Sequence, residues 1–242
     1  MVEKMAQKRL NVEELCAKSA DLRQKVIDFF RKTHKGHIGS SLSVIEILAT
    51  LHYNVMNEDD SFILSKGHAS GAFYVMLNDL GKLPEEVMHD LEEHPKLNPK
   101  YGIQASTGSL GHGLSLGLGI ALADREHKSY VLLGDGECDE GQIWEAARLA
   151  SELKVSNLRA IVDCNGLQGF KRSNYESLAR RFDAFGWVTS SCDGHDCQEL
   201  QEHLTLYNNS NHQLPAVVVA KTIKGKGVPE IENTLKSHYF HF

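Results

Sequence analysis

Asp135 stands between two glycines, Gly134-Asp135-Gly136, directly after the apolar run Tyr130-Val131-Leu132-Leu133. Four consecutive apolar residues predict a buried strand, and Gly-Asp-Gly cannot continue one. A second run, Leu158-Arg159-Ala160-Ile161-Val162, ends in Asp163-Cys164-Asn165-Gly166. Asp135 and Asn165 thus bring a carboxylate and an amide oxygen to two strand ends. Hard oxygen donors suit Mg²⁺, which takes one or two protein carboxylates and fills its octahedron with water and phosphate oxygens. Gly134 and Gly136 let backbone approach a bulky anion closely. The expected chemistry is a Mg²⁺–diphosphate site, and the plainer alternative is a strand-to-helix turn with a solvated aspartate.

Between the two strands, residues 143–153 place Ile143, Ala146, Ala147, Ala150 and Leu153 on one helical face. A strand, a helix and a strand joined by a right-handed crossover put both strands parallel in one sheet. Asp135 and Asn165 then share its carboxyl edge, where open α/β sheets keep their ligands. The N-terminus of the intervening helix points at the same edge and favours a phosphate.

Elsewhere the chain alternates in the same way. Helical patterns cover residues 9–32, 69–80, 85–92 and 197–208, with Pro84 opening the third. Ser43 to Glu46 reads as a capping box for a helix to about residue 53. Short apolar strands are expected at 62–64, 187–189 and 216–220. Residues 94–112 form the longest irregular segment, and loops of that length are usually functional. Gly113, Gly117 and Ala121 recur at i, i+4 and i+8, a small-residue stripe that suits close packing, either inside the chain or against a second copy of it. The expected fold is a doubly wound, mostly parallel α/β sheet with helices on both faces, as a single domain over residues 1–242.

Gly-Asp-Gly, Glu140-Gly141 and an asparagine thirty residues beyond Asp135 resemble the thiamine diphosphate signature. Two flanking segments, Ser106-Thr107-Gly108-Ser109-Leu110-Gly111-His112-Gly113 and Ser65-Lys66-Gly67-His68-Ala69, sharpen that resemblance. Together they look like the N-terminal half of transketolase, in the form split over two chains. The resemblance implies Asp135, Asn165 and the main-chain carbonyl of Leu167 as Mg²⁺ ligands, with Gly136 facing the diphosphate. Gly108, Ser109 and Leu110 would line the thiazolium and diphosphate, and Glu140 would lie near the cofactor and a dimer contact. His68 and His238 would touch the diphosphate. His37, His94 and His238 would bind sugar hydroxyls, with His37 and His238 also moving protons, roles that suit a side chain whose two charge states are both accessible near neutrality. Ile38 stands where the family has proline, Cys164 takes its second asparagine position, and Ser237-His238-Tyr239 replaces Trp-His-Gly.

The cofactor also needs a glutamate against its aminopyrimidine ring, which the family keeps on a separate pyrimidine-binding domain. Fewer than eighty residues follow Asn165, too few for such a domain. The expected protein is therefore half an enzyme, moving a two-carbon ketol unit from a ketose phosphate, or an analogue such as a sulfosugar, to an aldehyde. Its expected partners are a second copy of itself and a C-terminal transketolase subunit, in a heterotetramer. The α subunit of a 2-oxo acid dehydrogenase, a piece of a deoxyxylulose phosphate synthase, and a non-catalytic scaffold subunit remain alternatives.

Composition sets outer bounds. A net charge of −6 over 242 residues gives no sign of nucleic acid or an anionic membrane as a partner. Five scattered cysteines without Cys-x-x-Cys spacing indicate neither a disulfide framework nor a zinc site. Residues 1–8 lack the apolar core of a signal peptide, and the cytoplasm is the expected setting. Gly117-Leu118-Gly119 lies inside a helical pattern, which argues against a dinucleotide fingerprint. The ending Tyr239-Phe240-His241-Phe242 reads as an aromatic patch suited to a contact.

Overall fold

Side chains along the central strands alternate between two apolar cores. In β2 (Ser129–Gly134), Tyr130 and Leu132 face one core while Val131 and Leu133 face the other. In β3 (Leu158–Cys164), Ile161 and the pair Ala160 and Val162 divide in the same way. A strand covered on both faces must be apolar throughout, which is why these segments read as continuous runs. Each fully buried Val, Leu or Ile contributes roughly 1.5–3 kcal/mol, so these two layers dominate the sheet's stability.

The structure is a computed structural model describing residues 9–33, 36–169, 171–172, 177–206, 213–238, 240 and 242. Its sheet has the order β1-β2-β3-β5-β4, with β1 at Ser61–Leu64, β4 at Val188–Asp193 and β5 at Ala216–Lys221. All the pairings are parallel, and Asp163 lies beside Gly134 in register. One face carries α1 (Val12–Thr33), α2 (Ile38–Leu42), α3 (Ile45–Thr50), α4 (Ser70–Asp79) and, beyond the short α5 (Glu85–Met88), α9 (Cys197–Leu206). The other carries α6 (His112–Ala123), α7 (Gly141–Glu152) and α8 (Leu178–Ala184). The doubly wound α/β expectation is met. Among the described residues no helix is long and apolar enough to cross a membrane.

Several local expectations are corrected. Ser43 does not cap α3; its hydroxyl donates to Asp163 Oδ2 at 2.7 Å, 120 residues away. Glu46 is likewise withdrawn from the expected box and accepts from Arg23. That region divides into α2, α3 and a π turn at Leu51–Val55. Pro84 opens a helix of only four residues. The expected end of the 197–208 helix lies partly outside the described residues.

The small-residue stripe of α6 is not available to a second copy. A Cβ at Gly117 would sit 2.3 Å from Val131 Cγ2, and one at Gly113 would sit 2.3 Å from Ser65 Cβ. Gly113, Gly117 and Ala121 are the residues that let α6 lie directly on the sheet. Tyr239 and His241 of the aromatic ending lie outside the described residues. Phe240 packs against the core, and the Arg31 guanidinium lies over the Phe242 ring at 4.9 Å, so part of that patch is covered by the chain itself.

Candidate active site at the carboxyl edge of the sheet

Strand β2 ends at Gly134, and the chain turns at once into a 3₁₀ segment, Gly136–Asp139, with Asp135 as its cap. Asp135 Oδ1 accepts from the Gly136 amide at 2.7 Å, and Oδ2 accepts from the Gly166 amide at 2.6 Å. One carboxylate thereby ties the end of β2 to the loop after β3. Burial, with Asp163 as a second cause, pushes Asp135 up to about 6. A bivalent cation would reverse that shift, because a nearby positive charge favours the ionised carboxylate.

Asn165 and Leu167 belong to the same loop. Asn165 Oδ1 accepts from the Leu167 amide at 3.0 Å, and Nδ2 donates to Asp163 Oδ2 at 3.1 Å. The Leu167 carbonyl accepts from Lys224 Nζ at 3.1 Å. Asp135, Asn165 and Leu167 are therefore brought together as expected. Among the described residues no group of three His, Cys, Asp or Glu is placed to hold a metal ion. The oxygen set is one carboxylate, one amide and one carbonyl, a composition that suits Mg²⁺ when phosphate and water complete the shell.

The histidines converge from three distant segments. His37 precedes α2, His68 lies in the 3₁₀ turn after β1, and His238 closes the 3₁₀ segment Leu235–His238. Ring centroids lie 5.7 Å apart for His37 and His68, 4.6 Å for His37 and His238, and 6.1 Å for His68 and His238. Burial, then Lys66, holds His68 well below its usual range. Burial, then Lys224, lowers His238 to about 4. Lys224 Nζ donates to His238 Nδ1 at 2.9 Å, so the remaining proton of neutral His238 is on Nε2. His94 lies over Gly108: a Cβ there would meet its Cδ2 at 3.0 Å, at a residue whose φ of +141° already favours glycine.

The remaining expected residues fall around this cluster. Ser109 is exposed, and the Leu110 carbonyl accepts from Gln142 at 3.1 Å. Glu140 is exposed at the N-terminal end of α7, and its side chain caps no amide there.

Four charged residues of the site were not read from the sequence. Lys66 and Asp163 form an ion pair with side chains 1% and 0% exposed. Glu137 Oε1 accepts from the Gly111 amide at 2.8 Å and Oε2 from Gly134 at 3.1 Å, stapling the 108–111 loop to the Gly-Asp-Gly turn. Lys224 is 2% exposed and has no ion-pair partner among the described residues. Burial, then Lys66, lowers it to about 8. A buried cation outside any ion pair, beside an oxygen-rich turn, is the feature here that fits a diphosphate best. Gly67 completes the cradle: a Cβ would lie 2.9 Å from the Gly108 amide nitrogen.

Residues 15–240 match the family described as "Transketolase, thiamine diphosphate binding domain". The chain belongs to that family, and its fold and site are those of a thiamine diphosphate-binding domain. It is 35% identical to one of the two named halves, the "A" half, of apulose-4-phosphate transketolase from Phocaeicola vulgatus, over 95% of this chain and 90% of that one. It is also 35% identical to a 6-deoxy-6-sulfo-D-fructose transketolase subunit of Clostridium sp., over 90% of this chain and 87% of that one. The solved transketolase of Campylobacter jejuni superimposes with a TM-score of 0.86 and 29% identity, covering 95% of this chain and 40% of its own. The chain thus spans about 40% of that solved transketolase and nearly all of the relatives named as transketolase subunits.

Proposed function

We propose that the chain is the diphosphate-binding subunit of a two-chain transketolase, working in the cytoplasm as one domain over residues 1–242. The observation that carries this is the meeting of Lys224, Asp135, Asn165 and three histidines at one sheet edge, in a chain that matches relatives named as transketolase subunits along almost their whole length. Thiamine diphosphate, when bound, supplies the nucleophilic carbon that takes the two-carbon ketol unit. Asp135, Asn165 and the Leu167 carbonyl would hold Mg²⁺ on the diphosphate. Lys224 and His68 would face its oxygens, and Gly136 would give them room. Gly108, Ser109 and Leu110 would border the ring and diphosphate.

The other residues would act on the sugar. His37, His94 and His238 surround space where ketose hydroxyls would lie, and His37 or His238 would hold or move the proton at a hydroxyl oxygen. A ketose phosphate or a sulfosugar fits as donor, since two relatives are named for such substrates. The pyrimidine-binding partner would close the site, with Glu140 near the contact, and two copies of each chain would form the complete enzyme.

The test is ketol transfer by the chain alone and after co-expression with a pyrimidine-binding chain. The lone chain should transfer nothing and the pair should be active. His37→Ala in the pair should lower turnover roughly 100-fold, the scale of a lost general acid or base, with cofactor affinity little changed. Full activity of the lone chain would overturn the reading.

A further inference from the structure

Both ring nitrogens of His37 are engaged, one by main chain and one by a carboxylate. Nδ1 lies 2.6 Å from the main-chain oxygen of His238. A carbonyl only accepts, so Nδ1 carries a proton and donates. Nε2 lies 3.1 Å from Glu93 Oε1. A neutral ring with its proton on Nδ1 would turn the Nε2 lone pair toward a carboxylate oxygen, and two acceptors at that distance repel. A proton on Nε2 turns the same contact into an attraction between opposite charges.

We infer that Glu93 is a positioning residue for His37: its carboxylate keeps the proton on Nε2, so that His37 meets the substrate as a hydrogen-bond donor while His68 and His238 stay neutral. The surrounding charges fit this division of labour. Lys66 and Lys224 lie close enough to His68 and His238 to disfavour charge on both, and the charge of His37 acts on them in the same sense. Glu93, reaching in from the segment after α5, counters those cations at His37. Its side chain is 46% exposed, at the open side of the cluster. Three histidines of one cluster are thereby separated into one charged donor and two neutral rings, the kind of separation that assigns acid and base roles. Glu93 also adds a negative charge at the entrance, which favours the hydroxylated end of a sugar over its anionic end at that point.

The inference rests on the proposed function only for its use of the word substrate, and the first test does not depend on that reading. Ring-¹⁵N-histidine NMR of the chain at neutral pH reads the protonation of each nitrogen directly, with the His37 signal assigned by its loss in His37→Gln. The unsubstituted chain should show His37 protonated on both nitrogens, and Glu93→Gln should convert it to the Nδ1–H neutral ring. His195 serves as the internal control for folding. Its Nδ1 donates to Glu46 Oε2 at 2.9 Å and its Nε2 accepts from the Ile223 amide at 2.8 Å, so its signal should not move. An unprotonated Nε2 in the unsubstituted chain, or an unchanged His37 in Glu93→Gln with His195 in place, would overturn the inference. In the assembled pair, Glu93→Gln should also displace the basic limb of the kcat/KM profile to lower pH, and a uniform loss at every pH would contradict the positioning role.

Discussion

Lys66 and Asp163 pair in the interior, and they join the loop after β1 to the end of β3 across 97 residues. Burial works against ionised Asp163. The Lys66 charge and hydrogen bond, with the hydroxyls of Thr222 and Ser43, nevertheless hold its carboxyl below the usual range. Asn165 donates to the same carboxylate, so the pair also orients the expected metal-binding loop. Removing one partner leaves a buried charge uncompensated. Lys66→Met should therefore destabilise the chain by about 3–5 kcal/mol. Lys66→Met with Asp163→Leu should recover much of that loss, and urea denaturation of both variants checks it.

Lys224 is expected to work in the opposite way. It is buried with no ion-pair partner among the described residues, so its charge is a burden until an anion arrives. Lys224→Met should weaken thiamine diphosphate binding by the assembled enzyme roughly ten- to a hundred-fold, the scale of one charged hydrogen bond. The melting temperature of the ligand-free protein should hold. Parallel calorimetry and thermal melts separate this outcome from a folding defect, which would lower both together.

Stability should fall on mild acidification. Desolvation holds His52 neutral, lowering it to about 3; its ring meets Phe62 and Phe73, and its Nε2 has no partner. His238 is lowered to about 4 and His68 falls well below its ordinary value, burial being the first cause in each. In the unfolded chain all three take up protons near pH 6.5. Between there and about pH 4 the unfolded state binds more protons, so stability drops as pH falls. Asp135, raised to about 6, acts with the opposite sign over part of the window, but it is one group against three. Denaturation at pH 5 should show a loss of about 2 kcal/mol from His52 alone relative to pH 7.5. A midpoint that rises on acidification would contradict these assignments.

The strands were legible because burial on both faces forces unbroken apolar runs, and Gly134-Asp135-Gly136 was legible because no strand or helix continues through it. Asn165 followed from its place at the next parallel strand end. What stayed hidden was long-range pairing. Ser43 looked like a cap because its sequence neighbours allow one, while the carboxylate that claims it lies 120 residues away. Glu46 looked like the far side of that box, yet Arg23 and His195 hold it. Lys224 sits among lysines of similar appearance, and only the folded chain buries it. Asp163 did leave a signal: a charge inside an apolar strand must be compensated from elsewhere. The stripe Gly113, Gly117 and Ala121 was visible, but its partner was not, and that partner is the chain's own sheet.

The central claim is a Mg²⁺–diphosphate site built on the Asp135 carboxylate. Calorimetric titration of thiamine diphosphate with Mg²⁺ into the assembled enzyme, unsubstituted and as Asp135→Ala, tests it most directly. Saturable binding that requires Mg²⁺ and disappears in Asp135→Ala is the expected result. An Asp135→Ala enzyme that is fully folded and binds the cofactor with unchanged, Mg²⁺-dependent affinity would contradict the account.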